Sequence, residues 1–297
     1  MKKVLIFGLD SFTGVYLKRH LIEKGYDVYG SIFSGSKSKK VFICDITNQY
    51  NVDLIFDQIN PDFIFILAGI SRSVNENPTE VYNINIFGPL NILESLKKKK
   101  INPTKIIFSS SASVYGIYDN EISEDHIKNP INHYGNSKLV AENMITNFFD
   151  EFNIIITRPF NYFGEGQNKF FIMPKILNHF KFFDKSKPQD LILGNLNVFR
   201  EFNDVLDVVD CYYRLMNIKG SSIKVNICSN RKVSISDVLK IASEFTENEV
   251  NVISNNNFKR KNEINNLQGD DTLLCSLIGN NNFKISINKS IKNYLNG

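Results

Sequence analysis

The apolar run Lys3–Phe7 ends in Gly8-Leu-Asp-Ser11-Phe-Thr-Gly14, and residues with helical spacing follow at once over Phe12–Lys24. A short strand, a glycine turn and a helix in that order leave few folds open. The same alternation then repeats. Asp27–Ile32, Val41–Cys44, Phe63–Leu67, Lys105–Ser109 and Ile154–Thr157 read as strands. Val52–Ile59, Pro78–Lys98 and His133–Phe152 read as the helices between them. Runs as apolar as Phe63-Ile-Phe-Ile-Leu67 are expected in strands buried on both faces. Strand–helix repetition of this kind predicts α/β architecture with a doubly wound parallel sheet of Rossmann type.

After Pro159 the rhythm changes, and Gly, Asn and Pro become frequent in Asn161–Asn168 and Lys185–Asn197. Asp204 is placed to cap a helix reaching Met216, Lys224–Cys228 reads as one more strand, and Ser234 precedes a helix over Ser236–Phe245. Ser254–Asn257 reads as a polar loop. The predicted organisation is a dinucleotide-binding part, residues 1–160 plus about 203–230, and a smaller mixed α/β substrate domain, about 161–202 plus 231–297.

Composition sets the outer limits. A chain of 297 residues buries enough surface to need no disulfide or metal staple. The net charge of +4 comes largely from Lys37–Lys40 and Lys97–Lys100, which form no continuous stripe, so solvated surface is expected and not a nucleic-acid face. Cys44, Cys211, Cys228 and Cys275 lie far apart, and the four histidines lack metal-ligand spacing. Reduced thiols, a cytoplasmic location and no metal are the expectation. The start Met-Lys-Lys superficially resembles a secretory leader, but Val4–Phe7 is too short for one and reads as the first strand. No stretch reaches the length of a membrane span.

The first turn is a candidate phosphate site. A pyrophosphate needs backbone N–H donors at a helix N-terminus. Gly8 permits the tight turn, Gly14 permits close helix–sheet contact, and Ser11, in the middle-glycine position, adds a hydroxyl beside Phe12 and Thr13. Two glycines at such a junction also serve as a plain turn, and only their place at the first strand–helix step favours a dinucleotide. At the end of the second strand no carboxylate is present to hold an adenosine ribose. Ser34, Ser36 and Lys37 follow instead, groups suited to a 2′-phosphate or to a flexible polar loop. NADP is therefore expected, with NAD as the alternative.

Tyr134 and Lys138 stand at i and i+4 on one helix face, where an ammonium can stabilise a tyrosinate. Upstream, Ser109-Ser110-Ser111 lies at the C-terminal end of a strand, where ligands bind in open α/β sheets. The glycine turn, the serine cluster and the Tyr–Lys pair occur in that order. Together with Leu67-Ala-Gly69, Asn85-Ile-Phe-Gly-Pro-Leu-Asn91 and Arg158-Pro-Phe-Asn161, they resemble the extended short-chain dehydrogenase/reductases that act on nucleotide sugars. Arg158-Pro-Phe-Asn-Tyr-Phe-Gly-Glu-Gly-Gln167, Leu193-Gly-Asn-Leu196, Arg200-Glu-Phe202, Val225-Asn-Ile-Cys228 and Arg260-Lys-Asn-Glu-Ile264 make the chain most similar to the GDP-4-keto-6-deoxymannose reductases. It departs from that group in lacking the middle glycine and in its shorter stretch after Asp271.

The resemblance implies roles. Ser111 would hydrogen-bond the sugar oxygen, Tyr134 would exchange a proton with it, and Lys138 would hold the nicotinamide ribose. Asp45 and Ile46 would flank adenine, and Leu67, Ala68 and Gly69 would pass beneath the dinucleotide. Ser71, Arg72, Ser111, Ser113, Asn161, Pro174, Lys175, Asn195, Arg200 and Arg260 would meet the sugar nucleotide, whose diphosphate suits an arginine fork. Arg200 and Arg260 taken singly also read as surface ion pairs, and Asn161 as a turn cap. Asn85 is expected to brace the active-site helix. The activity implied is NADPH-dependent reduction of a C4 keto group in a 4-keto-6-deoxy nucleotide sugar, with GDP the expected carrier. The alternatives are an NAD-dependent 4-epimerase and, more remotely, a non-catalytic dinucleotide sensor. Dehydration is disfavoured because Ala112 and Ser113 stand where a carboxylate base is needed. Relatives pair through the helices Pro78–Lys98 and His133–Phe152, so a homodimer is expected.

Overall fold

The computed structural model describes residues 1–71, 77–184, 186, 189–255, 263–280 and 282–297. Strands β1 (Lys3–Phe7), β2 (Asp27–Ile32), β3 (Val41–Ile43), β4 (Phe63–Ile66), β5 (Lys105–Ser109), β6 (Ile154–Pro159) and β11 (Ile223–Ile227) form one sheet in the order β11-β6-β5-β4-β1-β2-β3. Every pairing in it is parallel. Order reverses between β1 and β4, so their C-terminal ends bound the crevice where such sheets take ligands.

Alternation along the strands sorts the core into two layers. Leu5, Phe7, Ile64, Ile66, Ile106, Phe108, Ile154 and Ile156 face α2 (Gln49–Phe56), α4 (Gly88–Lys99) and α5 (His133–Thr146). Val4, Ile6, Phe63, Phe65, Ile107, Ile155, Val225 and Ile227 face α1 (Phe12–Glu23), α7 (Val205–Met216) and α9 (Thr272–Ile278). Both faces are covered, which is why these strands lack polar alternation. A third core gathers α6 (Ile172–Lys181), β8 (Asp190–Leu193), α8 (Ile235–Thr246) and α10 (Ile287–Asn296). Around it lie three small sheets: β7 (Tyr162–Phe163) with β10 (Asn203–Asp204), β9 (Phe199–Glu201) with β12 (Lys232–Ser234) and β14 (Asn266–Leu267), and β8 with β13 (Asn251–Ser254).

The expected doubly wound sheet is present, and most departures from the reading are at element ends. The stretch read as one helix over Pro78–Lys98 is α3 (Pro78–Tyr82), a π-helical segment Asn83–Phe87, and α4. Pro89 has no N–H to return to the carbonyl four residues back, which belongs to Asn85, so the chain widens there. The helix expected to reach Phe152 stops at Thr146, capped at Asn147. Ser254, read as loop, is paired in β13. Asp204 and Ser234 cap α7 and α8 as their positions predict, Ser234 in a reciprocal box with Asp237. Lys97, Lys98 and Lys99 each meet a carboxylate, from Glu151, Asp53 and Asp57. Among the described residues no helix is long and apolar enough to cross a membrane, and no cluster of potential metal ligands forms.

Candidate active site

Gly8 closes β1 at φ +87°, and a Cβ there would lie 2.7 Å from the Ala68 nitrogen. Only glycine lets the first turn and the end of β4 approach so closely. The Ser11 hydroxyl is engaged within the turn itself. The hydroxyl donates to the Gly8 carbonyl at 2.7 Å and accepts from the Gly14 N–H at 3.0 Å, capping α1. The serine adopts extended φ −65°, ψ 157°, so this position does not need glycine's freedom. The Phe12 ring stacks on Tyr162 at 6.0 Å and the Thr13 hydroxyl lies 2.7 Å from the Tyr162 phenol. What the turn has left for an anion is its backbone at the start of α1.

Leu67 and Ala68 are half-buried across the crevice, and their N–H groups bind the Phe7 carbonyl. Gly69 is exposed, and a Cβ built there would come within 3.5 Å of Lys138 Nζ. Asp45 turns one carboxylate oxygen onto Thr47, and Ile46 is buried against Gly88. Ser34, Ser36 and Lys37 form an exposed loop at the sheet edge, with Lys37 over a groove of about 230 Å³ beside β3 and α2.

Ser111, Tyr134 and Lys138 come together. Ser111 caps the 3₁₀ turn Ala112–Val114, accepting from Ser113 N–H at 3.1 Å. α5 begins against that turn: its cap Asn132 accepts from Gly135, where a Cβ would sit 2.5 Å from the Ser113 carbonyl. Close approach at Gly135 puts the half-buried Tyr134 within hydrogen-bond reach of the Ser111 hydroxyl. Lys138 Nζ donates to the Ser109 carbonyl at 2.8 Å and lies 5.0 Å from the centre of the Phe108 ring. Asn85 reaches α5 through Ser137 at 2.9 Å and ties it to both backbone groups of Ile70, so it braces that helix as expected.

The expected lowering of the Tyr134 phenol is not found. Burial pushes it up to about 12, against the hydrogen bond from Ser111. Desolvation lowers the Lys138 ammonium to about 8, opposed by the Glu142 carboxylate. At neutral pH the pair is therefore a protonated phenol beside a cation, an arrangement fitted to giving a proton.

The other positions are spread around the third core. Ser71 and Asn161 are exposed near the crevice. Pro174 is buried in α6, and Lys175 Nζ donates to the Ile192 carbonyl. Asn195 donates to Glu263 at 2.9 Å, and the Arg200 guanidinium meets the carbonyls of Phe199 and Ile264. Arg72 and Arg260 lie outside the described residues. Reading motifs alone missed Glu142 and Arg158 as partners beneath the site. Glu142 continues the spacing of Tyr134 and Lys138, and Arg158 is the one charge in a strand buried along its length, so both signals were present.

Residues 4–228, which include the glycine turn, the serine cluster and the Tyr–Lys helix, match the NAD dependent epimerase/dehydratase family. The chain belongs to this family. Two relatives of this epimerase/dehydratase protein are informative. GDP-6-deoxy-D-talose 4-dehydrogenase of Aggregatibacter actinomycetemcomitans is 30% identical over 282 residues, 94% of this chain and 92% of that one. GDP-6-deoxy-D-mannose reductase of Pseudomonas aeruginosa is 27% identical over 227 residues, 74% of each chain. The structure of RMD from Pseudomonas aeruginosa complexed with NADPH shares the epimerase/dehydratase fold at a TM-score of 0.88 and 23% identity, covering 100% of this chain and 98% of that chain.

Proposed function

We propose that the protein is an oxidoreductase that uses NADPH to reduce the C4 keto group of a 4-keto-6-deoxy nucleotide sugar, with GDP as the carrier. One arrangement carries this reading: Ser111 against Tyr134, Lys138 one turn on, and only Ala112 and Ser113 in the adjoining turn. Neither of those two side chains can remove a carbon-bound proton, so the site fits consumption of a keto sugar better than its formation. The two relatives above are named for 6-deoxy GDP-sugars, one of them as a 4-dehydrogenase, the same carbon read in reverse.

The glycine cradle of Gly8 and Ala68, with the open backbone at Gly69, fits a dinucleotide. When bound, that group supplies the hydride. Ser113 N–H binds the Ser111 oxygen and orders the hydroxyl, which would turn from Tyr134 to the sugar oxygen when substrate is bound. Negative charge growing on that oxygen is met by Ser111, and Tyr134 gives it a proton. Lys138 supplies positive charge at the same place and would hold the nicotinamide ribose. Asn161, Asn195 and Arg200 hold the sugar nucleotide. We assign these tasks to two parts, residues 1–160 with about 203–230 for the dinucleotide, and about 161–202 with 231–297 for the sugar nucleotide. The buried, unpaired thiols of Cys44, Cys211 and Cys228 support a reducing, cytoplasmic setting.

The test mixes protein, the freshly made GDP-4-keto-6-deoxy sugar and either NADPH or NADH, and follows absorbance of the reduced cofactor. Stoichiometric oxidation with a 4-hydroxy product is expected, faster and with tighter binding for NADPH, because no acid ends β2 and Ser34, Ser36 and Lys37 follow it. Equal use of NADH removes the cofactor assignment. Interconversion of C4 epimers by protein carrying NAD, without added cofactor, replaces reduction by epimerisation.

Phe87, at the end of the π-helical segment that leads into α4, and Val140 of α5 are about half exposed, apolar groups suited to an isologous homodimer. Light scattering is expected to give twice the chain mass. A monomer mass that does not change with concentration rejects the dimer.

A further inference from the structure

Beneath the Ser111–Tyr134 contact lies a charge pair that the chemistry above does not use. Glu142 sits one turn beyond Lys138 on α5 and is fully buried. Arg158 of β6, equally buried, grips it: Nε lies 3.0 and 3.2 Å from the two carboxylate oxygens and Nη2 lies 2.6 Å from one. The remaining arm of Arg158 is turned away to the Tyr115 phenol at 2.8 Å and the Glu124 carbonyl at 3.2 Å. Ser110, buried and directly before Ser111, donates its hydroxyl to the same carboxylate at 2.5 Å. One carboxylate thus joins the helix that carries Tyr134 and Lys138, the strand end that carries Ser111, and β6.

Buried ion pairs contribute little net stability, since desolvating both charges offsets their attraction. An apolar pair would fill the space as well. What it would not do is fix direction: the guanidinium fork holds the carboxylate in one orientation, and the carboxylate then holds Ser110. We propose that Glu142, held by Arg158, is a positioning residue for the reduction, keeping Ser111 against Tyr134 through its hydrogen bond with Ser110. This rests on the catalytic reading of Ser111, Tyr134 and Lys138.

Ser110→Ala cuts only the tether and leaves the ion pair whole. It is expected to lower kcat about tenfold or more, with KM for both substrates within about twofold and the melting temperature close to wild type, because misplacing a reacting group acts on the chemical step. Glu142→Gln reads the charge. Lys138 faces Tyr134 and Glu142 on its own helix, the Ser109 carbonyl from β5, and Gly69 and Asn85 from across the crevice. The pair itself is faced by Tyr115, Glu124, Lys128 and Lys224. Removing the Glu142 charge takes away the carboxylate that favours the Lys138 ammonium, so the alkaline limb of kcat moves to lower pH. In Ser110→Ala that limb stays in place. A merely structural role would not lower kcat alone in Ser110→Ala, whereas the limb reports only the Glu142 charge acting on Lys138. Wild-type kcat in Ser110→Ala overturns the proposal, as does wild-type kcat in folded Glu142→Gln measured below the alkaline limb. If Glu142→Gln does not fold, Ser110→Ala decides. Wild-type turnover with Tyr134→Phe inactive and Ser110→Ala unaffected removes this inference alone. A wild type inactive on the keto sugar removes the functional reading and this inference with it.

Discussion

Tyr134→Phe is expected to lose about 10²–10⁴-fold in kcat, the contribution typical of a positioned acid, while NADPH affinity stays within about threefold. The substitution removes one oxygen from a ring that otherwise keeps its packing at the start of α5. Calorimetric titration with NADPH and steady-state turnover separate the two effects. Retention of more than about a tenth of the activity means that another group gives the proton. The pH dependence follows from the same pair. The phenol, raised to about 12, holds its proton through the working range, whereas the Lys138 ammonium, lowered to about 8, loses its charge first. Turnover is therefore highest below about 8 and falls as pH rises through it, well before the phenol ionises.

Arg158→Met is expected to cost about 3–5 kcal/mol, because Glu142 would then be a buried carboxylate without its cation. For a chain of this size that corresponds to a drop of roughly 10 °C in melting temperature. Glu142→Met combined with Arg158→Met is expected to recover most of the loss, since the double variant leaves no unpaired buried charge. Thermal unfolding of the wild type, both single variants and the double variant closes the cycle. An Arg158→Met protein as stable as wild type shows that the pair is not the desolvated contact its geometry describes.

The large sheet is legible in the sequence because both of its faces are buried. Runs such as Phe63–Ile66 and Ile106–Phe108 have no other use, and the helices between them carry caps at Ser11, Asn132 and Asp204. What escaped the reading has local causes. The π segment at Asn83–Phe87 follows from a missing N–H at Pro89, which breaks no hydrophobic period. The strands β8, β9 and β13 are three or four residues long and sit among asparagines and glycines, where pattern cannot separate strand from loop. Helix α6 follows Phe171, whose side chain gives no cap, so no start signal announces it.

At the site, motif spacing placed Ser111, Tyr134 and Lys138 near one another. It could not foresee that the Ser11 hydroxyl turns inward to cap α1, or that burial raises the phenol. Both depend on what surrounds a group in space. Arg158 was visible as a charge in a buried strand and Glu142 as a continuation of the Tyr134–Lys138 spacing, but their meeting needs α5 laid across β6.

The order of strands also governs how the molecule is made. Chains emerge from the ribosome N-terminus first, at about 5–20 residues per second, and fold in large units. When Pro159 has emerged, six of the seven parallel strands exist, yet Phe65, Ile107 and Ile155 still lack the cover of α7, and β6 lacks its neighbour β11. Residues 160–204 must be synthesised before that helix follows. During that interval the nascent chain carries one greasy face and one open sheet edge, the combination most prone to sticking to other chains.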